Sequence, residues 1–148
     1  MRRALALADR ACEQGDVPIG AVLSVGDLIV EAVNEKELRP DPTAHAEILV
    51  LREAARLLGR WRLTGATLYV TKEPCVMCAG AMVSARIDRL AYGCDDPKGG
   101  AAGGVLDLVR HPQLNHQISV TRGVLAEQAA EQLRKFFAMR RGRSGPTS

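Results

Sequence analysis

The sequence predicts a single α/β domain, a sheet of about five strands with helices packed on both faces. Three observations carry that expectation. Helical and β-rich stretches alternate along the chain. Residues 67–93 read as strand–helix–strand, with a connection long enough to return the chain as a parallel pair. The 148 residues, 47% hydrophobic and 25% charged, have the size and composition of one globular core. The domain is expected over residues 1–141, followed by a flexible basic tail over 142–148.

Each element has a local reason. In residues 2–14, Leu5, Ala8, Ala11 and Cys12 recur at helical spacing, and Gly15 ends the pattern. Ile19–Val25 and Leu28–Val33 are β-rich runs joined at Gly26-Asp27, whose order favours a type II′ hairpin turn. Asp41-Pro42-Thr43 signals a helix start, with Thr43 as the expected N-cap of a helix reaching Leu58. Thr67–Thr71 is a strand, Pro74 opens a helix to about Ala85, and Arg89–Gly93 is the next strand. The glycine-rich stretch 99–104 reads as a flexible loop without the Gly-Lys-Ser/Thr ending of a phosphate loop. A short helix over Val105–Arg110, a strand over Ile118–Val124 and a final helix from about Ala126 to Arg141 complete the chain.

Composition excludes several classes. No apolar run approaches the roughly 18 residues that span a bilayer. Asp9 and Arg10 cut the opening apolar stretch too early for a signal peptide. The four cysteines do not resemble a disulfide framework, so a reducing cytoplasm and a metal or redox role are expected. The net charge of +3 is unevenly placed: residues 131–148 carry +4, from Arg134, Lys135, Arg140, Arg141 and Arg143 against Glu131. Such a basic end on a near-neutral body points to a polyanion. Complementing a helix C-terminus is the other reading.

The chemistry lies in His45-Ala46-Glu47 and Pro74-Cys75-Val76-Met77-Cys78, each at the start of its own predicted helix, with Asn34 at the end of the hairpin. Two thiolates and an imidazole suit Zn²⁺, and helix N-termini favour the thiolate form. Three protein ligands leave a fourth position open, which marks a catalytic site. Anionic sulfur ligands acidify water less than three imidazoles do, so a base is needed, and Glu47, in the first helical turn, is placed to be it. A thioredoxin-like redox pair would leave the His-x-Glu unexplained. A closed structural zinc site would need a fourth ligand from Cys94, His111 or His116. His111 and His116, in a polar loop, read as scaffolding or substrate contacts, and Cys12 as a core residue.

Taken together, His-x-Glu and Pro-Cys-x-x-Cys form the signature of the zinc deaminases, for which it is a standard pattern. Within that superfamily the chain resembles the bacterial tRNA-specific adenosine deaminases. The resemblance covers Val17–Val22, Asp41–Glu47, Thr71–Met82, Asp96–Lys98 with 100–103, His111–His116 and Phe136–Arg141. It implies a three-layer cytidine-deaminase-like fold with a mixed sheet, and conversion of the wobble adenosine of a tRNA anticodon stem-loop to inosine. His45, Cys75 and Cys78 would hold one Zn²⁺, and Glu47 would shuttle protons. Substrate contacts are implied for Asn34 and Ala46 at the base, Asp96 and Lys98 at ribose and phosphate, and Phe136 and Arg140 over the anticodon loop. A homodimer is implied as well, consistent with a third helix that is apolar on more than one side. A metabolic deaminase of free cytosine, guanine or a nucleoside is the alternative, and the basic end argues against it.

Overall fold

A computed structural model of the chain describes residues 1–143. Its elements are α1 (Arg2–Glu13), β1 (Gly20–Val25), β2 (Leu28–Val33), α2 (Ala46–Leu58), β3 (Thr67–Lys72), α3 (Val76–Ala85), β4 (Arg89–Cys94), β5 (Ser119–Thr121) and α4 (Ala126–Arg143). The five strands form one sheet in the order β2-β1-β3-β4-β5. β1 pairs antiparallel with β2 and β3, whereas β3–β4 and β4–β5 are parallel, so the sheet is mixed. Helices α1 and α4 pack together on one face, and α2 and α3 on the other.

The strand alternation explains both layers. Ala21, Leu23 and Val25 of β1 point into the main core with Leu68 and Val70 of β3, where they meet Val50, Leu51 and Ala54 of α2 and Cys78, Ala79 and Met82 of α3. Val22 points the opposite way and joins Val33, Ala4, Leu7 and Ala11 beneath α1. Gly26 has φ +57° while Asp27 is not among the positive-φ residues, the φ pattern of the expected II′ turn.

Four local expectations change. Thr43 does not cap α2: Asp41 Oδ1 accepts from Thr43 N (2.8 Å) and Thr43 Oγ1 (2.7 Å), so this pair closes its own turn. The cap position falls to His45. Val105–Arg110 is not a helix, because its backbone donors serve the preceding loop: Val105 N to Gly100 O (2.8 Å) and Leu108 N to Ala101 O (2.9 Å). A six-residue helix could not repay its own nucleation against such partners. The glycine stretch is correspondingly well tied, with Gly100, Ala101 and Ala102 buried. Finally, β5 is confined to Ser119–Thr121, since left-handed residues Gly123 and Leu125 turn the chain into α4. Of the expected tail, Gly142 and Arg143 form the end of α4, and 144–148 lie outside the described residues.

Gly20 shows how closely α1 lies on the sheet. A Cβ there would collide with Ala4 O and stand 2.8 Å from both Ala8 N and Leu7 Cβ. Gly20→Ala is expected to destabilise the protein by about 1–3 kcal/mol through overpacking, read as a lower midpoint in chemical denaturation. An unchanged midpoint would mean that α1 shifts without cost.

Candidate metal centre and active site

Two helix N-termini meet beyond the carboxyl end of β3. His45 and Cys75 hold the N-cap positions of α2 and α3 in extended conformation, and neither side chain caps its own helix. Both are therefore free to turn toward each other. His45 Nδ1 lies 3.7 Å from Cys75 Sγ and 3.4 Å from Cys78 Sγ, one turn into α3. The three ligand atoms lie within 4.8 Å of one another, and among the described residues this is the group able to hold a metal ion. With metal–nitrogen bonds of about 2.0–2.1 Å and metal–sulfur bonds of about 2.3 Å, a tetrahedral ion would separate N from S by about 3.6 Å. The donor set and its spacing fit zinc. Cys94, His111 and His116 do not join the group: His116 Nε2 sits 2.6 Å from Ile87 O, and His111 Nδ1 accepts from Gln113 N at 3.2 Å. Both histidines are scaffolding of their loop, and no closed four-ligand site is formed among the described residues.

Proton sharing polarises the pair of sulfurs. The hydrogen bond from Cys78, with help from His45, lowers the Cys75 thiol to about 3. The same bond, together with burial, pushes the Cys78 thiol up. The His45 imidazole is raised by its hydrogen bond to Cys75 against the opposing effect of burial. A Cys75 thiolate beside a protonated Cys78 is thus the favoured metal-free state.

Glu47, in the first turn of α2, is 3% exposed, and its Oε1 has no hydrogen-bond partner among the described residues. Burial pushes its carboxyl up, and its charge acts on both His45 and Cys75. An orphaned buried carboxylate oxygen costs stability. Beside three convergent ligand atoms, it is suited to taking and returning a proton.

Asn34 and Ala46 are held together. Asn34 Oδ1 accepts the first helical N–H of α2, from Ala46, at 3.1 Å, and Asn34 Nδ2 donates to Asp16 Oδ1 at 3.4 Å. Asp16 also accepts from Val17 N (2.8 Å) and Glu37 N (2.9 Å). Asn34 retains one amide hydrogen and one lone pair beyond these bonds. Asp96 is turned into its own loop: Oδ1 accepts from Lys98 N and Gly99 N, and Oδ2 lies 3.4 Å from Lys72 Nζ. Burial opposes its ionisation, but those N–H groups and the ammonium outweigh burial and hold the carboxyl low. Lys98 is exposed. Phe136 is only 6% exposed and packs edge-on to the more exposed Phe137. Arg140 stacks over Phe136 at 5.2 Å and pairs with Glu37 at 3.6 Å. Cys12 is half-buried beside Phe136 and Arg140.

Two buried acids escaped the sequence reading. Asp16 acts across 18 residues to Asn34, and Glu73 across 29 to Ala102. Neither belongs to a local pattern, and the one hint is Glu73 standing directly before Pro74-Cys75.

Comparison with known proteins agrees with this geometry. The MafB19-like deaminase family matches residues 1–141. A tRNA-specific adenosine deaminase of Bacillus subtilis is 49% identical over 93% of this chain and 86% of its own length. One from Haemophilus influenzae is 47% identical over 95% of this chain and 83% of its own. A structure solved in work on A-to-I editing by tRNA:A34 deaminases at the wobble position of transfer RNA superposes with a TM-score of 0.86. It is 46% identical and covers 90% of this chain and 97% of that one. The chain belongs to this deaminase family.

In the metal-free deaminase, iodoacetamide at about pH 5.5 is expected to label Cys75 ahead of Cys78 and Cys94, as peptide mass mapping would show. Cys75 is ionised above about pH 3, whereas the other two thiols are raised and stay protonated there. Equal labelling of Cys75 and Cys78 would contradict the polarised pair.

Proposed function

We propose that this deaminase converts adenosine to inosine at the wobble position of a tRNA anticodon stem-loop, using one Zn²⁺ held by His45, Cys75 and Cys78. The observation that carries the reading is the unpartnered Glu47 Oε1 beside the convergent His/Cys/Cys group, in a chain that aligns over most of its length with tRNA-specific adenosine deaminases. Zinc held there supplies Lewis acidity that makes water nucleophilic near neutral pH.

The remaining chemistry belongs to the chain. Glu47 Oε1 accepts a proton from the attacking water and delivers it to N1 of adenine as the C6–O bond forms. The same oxygen then takes the second proton from the added hydroxyl and gives it to the exocyclic amine as the C6–N bond breaks, leaving inosine and ammonia. Burial raises the Glu47 carboxyl, the direction that suits a group that must donate a proton as well as accept one. Asn34 orients the base through the donor and acceptor it has left over, and Ala46, bonded to Asn34, fixes the floor on which the base rests. Lys98 and the basic end of α4 meet backbone phosphates. Asp96 shapes the loop at the ribose, and Arg140 over Phe136 keeps α4 closed on the segment after Asn34. A loop adenosine is the cheaper target, since flipping a paired one costs a few kcal/mol more.

The catalytic domain is assigned to residues 1–141, working in the cytoplasm, where the cysteines stay reduced. No helix of the described residues is long and apolar enough to cross a membrane. A homodimer is supported by an apolar groove between α2 and α3, lined by Ile48, Leu51, Ala55, Ala81 and Ala85, beside Trp61, which is 61% exposed. Sedimentation equilibrium should give the mass of two chains, and a monomer at micromolar concentration would remove this part of the proposal.

Turnover of a synthetic anticodon stem-loop, measured beside free adenosine, guanine and cytosine, decides the substrate. Activity on a free base alone would replace the tRNA reading. Glu47→Ala should keep zinc and RNA binding while kcat falls by about 10²–10⁴-fold, and a variant with a tenth of wild-type rate would remove Glu47 from the proton path. Lys98→Ala with Arg141→Ala should weaken stem-loop binding and flatten its log–log salt dependence by about 1.4, at about 0.7 for each of the two phosphate contacts. Parallel slopes would place the RNA elsewhere.

A further inference from the structure

Glu73 is 3% exposed and takes no part in the chemistry above. It leaves β3 immediately before Pro74 and Cys75, its N–H donating to Cys94 O at 2.8 Å. Its carboxylate accepts three backbone N–H groups from a different segment: Asp96 N on Oε1 at 2.9 Å, Ala102 N on Oε2 at 3.0 Å and Gly104 N on Oε2 at 2.8 Å. The adjoining Pro74 O accepts from Ala101 N at 2.8 Å, and Lys72 Nζ reaches Asp96 Oδ2 at 3.4 Å. Three consecutive residues at the end of β3 thereby grip residues 96–104.

The glycines of that segment follow from the same contact. A Cβ on Gly100 would overlap the Glu73 carboxylate, and one on Gly104 would stand 2.7 Å from Glu73 Oε1 and 2.9 Å from Asp96 O. The backbone must pass this close for its N–H groups to converge on one carboxylate. An anion with several aligned N–H donors makes strong, buried, charge-assisted bonds. The loop carrying the exposed Lys98 is consequently bonded to the strand end that carries the first sulfur ligand.

We propose that Glu73 is a positioning residue for the substrate: it pins the 96–104 loop to the metal-bearing segment, so that the RNA-contacting loop is organised before RNA arrives. The proposal rests on the tRNA reading for its substrate, and on the Glu73 contacts alone for its mechanism. Pre-organisation lowers the ordering cost of binding, so its loss appears in KM for the stem-loop more than in kcat.

The test compares wild type with Glu73→Gln, whose amide presents one –NH₂ where only acceptors fit, and with Gly104→Ala, which displaces the same contact from the loop side. Zinc content, KM and kcat on the stem-loop, and amide exchange of 96–104 are measured. Loss of a charge-assisted buried bond predicts a KM raised about tenfold with kcat within about threefold. Exchange in 96–104 should accelerate while α3 stays protected and zinc stays at one per chain. If Glu73→Gln does not fold, Gly104→Ala alone must give this pattern. Unchanged exchange would show that Glu73 does not pin the loop. Faster exchange with unchanged KM would show that the pinning does not serve substrate, and joint loss of zinc and kcat would make Glu73 a support of the metal centre only. If wild type fails to turn over the stem-loop, the tRNA reading falls, and the exchange arm still decides the pinning.

Discussion

The molecule is arranged around one short separation, that of His45 Nδ1 from the sulfurs of Cys75 and Cys78, at 3.7 and 3.4 Å. The partners lie on different helices, and the distance survives only because both helices start at the same edge of the core. Placing β1 between β2 and β3 brings the chain leaving β2 and the chain leaving β3 to that edge. The cap geometry supplies the rest, since His45 and Cys75 occupy N-cap positions without using their side chains as caps. Each helix gives up side-chain capping at its start and places there a side chain able to ligate a metal. The positive helix ends then favour the anionic sulfur that a metal needs.

Buried carboxylates carry the second level of organisation. Asp16 holds Asn34 and the turn at Glu37, and Glu73 holds the 96–104 loop. Both are fully satisfied by donors, so their burial is compensated. Glu47 is the contrast: equally buried, it keeps one oxygen without a partner. Among the acids lying this deep, two hold loops in place and the third lies beside the His45 and Cys75 group. That difference in hydrogen bonding, more than burial, separates the two supporting acids from Glu47, for which a proton-carrying role is proposed.

Charged groups near the surface play a smaller part in the fold. Arg56 with Glu53 and Arg134 with Glu131 are solvated helix-face pairs of little energetic weight. Arg140 differs, because its contacts with Phe136 and Glu37 join the last helix to the loop that follows Asn34. The far end of the chain is thereby tied to the segment that follows Asn34, beside the candidate site.

Sequence alone determined the alternation of helices and strands, the hairpin and its II′ turn, the parallel β3–α3–β4 unit and the meeting of His45, Cys75 and Cys78 in a group that could hold a metal ion, because each rests on local periodicity, turn chemistry or fixed spacing. It also marked Glu47, two positions after His45. Tertiary structure decided what spacing cannot encode. The α2 cap moved from Thr43 to His45 because Asp41 had already engaged Thr43. The expected helix at 105–110 gave way because Gly100 and Ala101 offered its backbone better partners. A stretch of glycines that reads as flexible is instead tightly bonded, since a carboxylate 29 residues away from Ala102 collects its N–H groups. Long-range hydrogen bonds of this kind leave no periodic trace in the chain, and only the folded backbone brings donor and acceptor together.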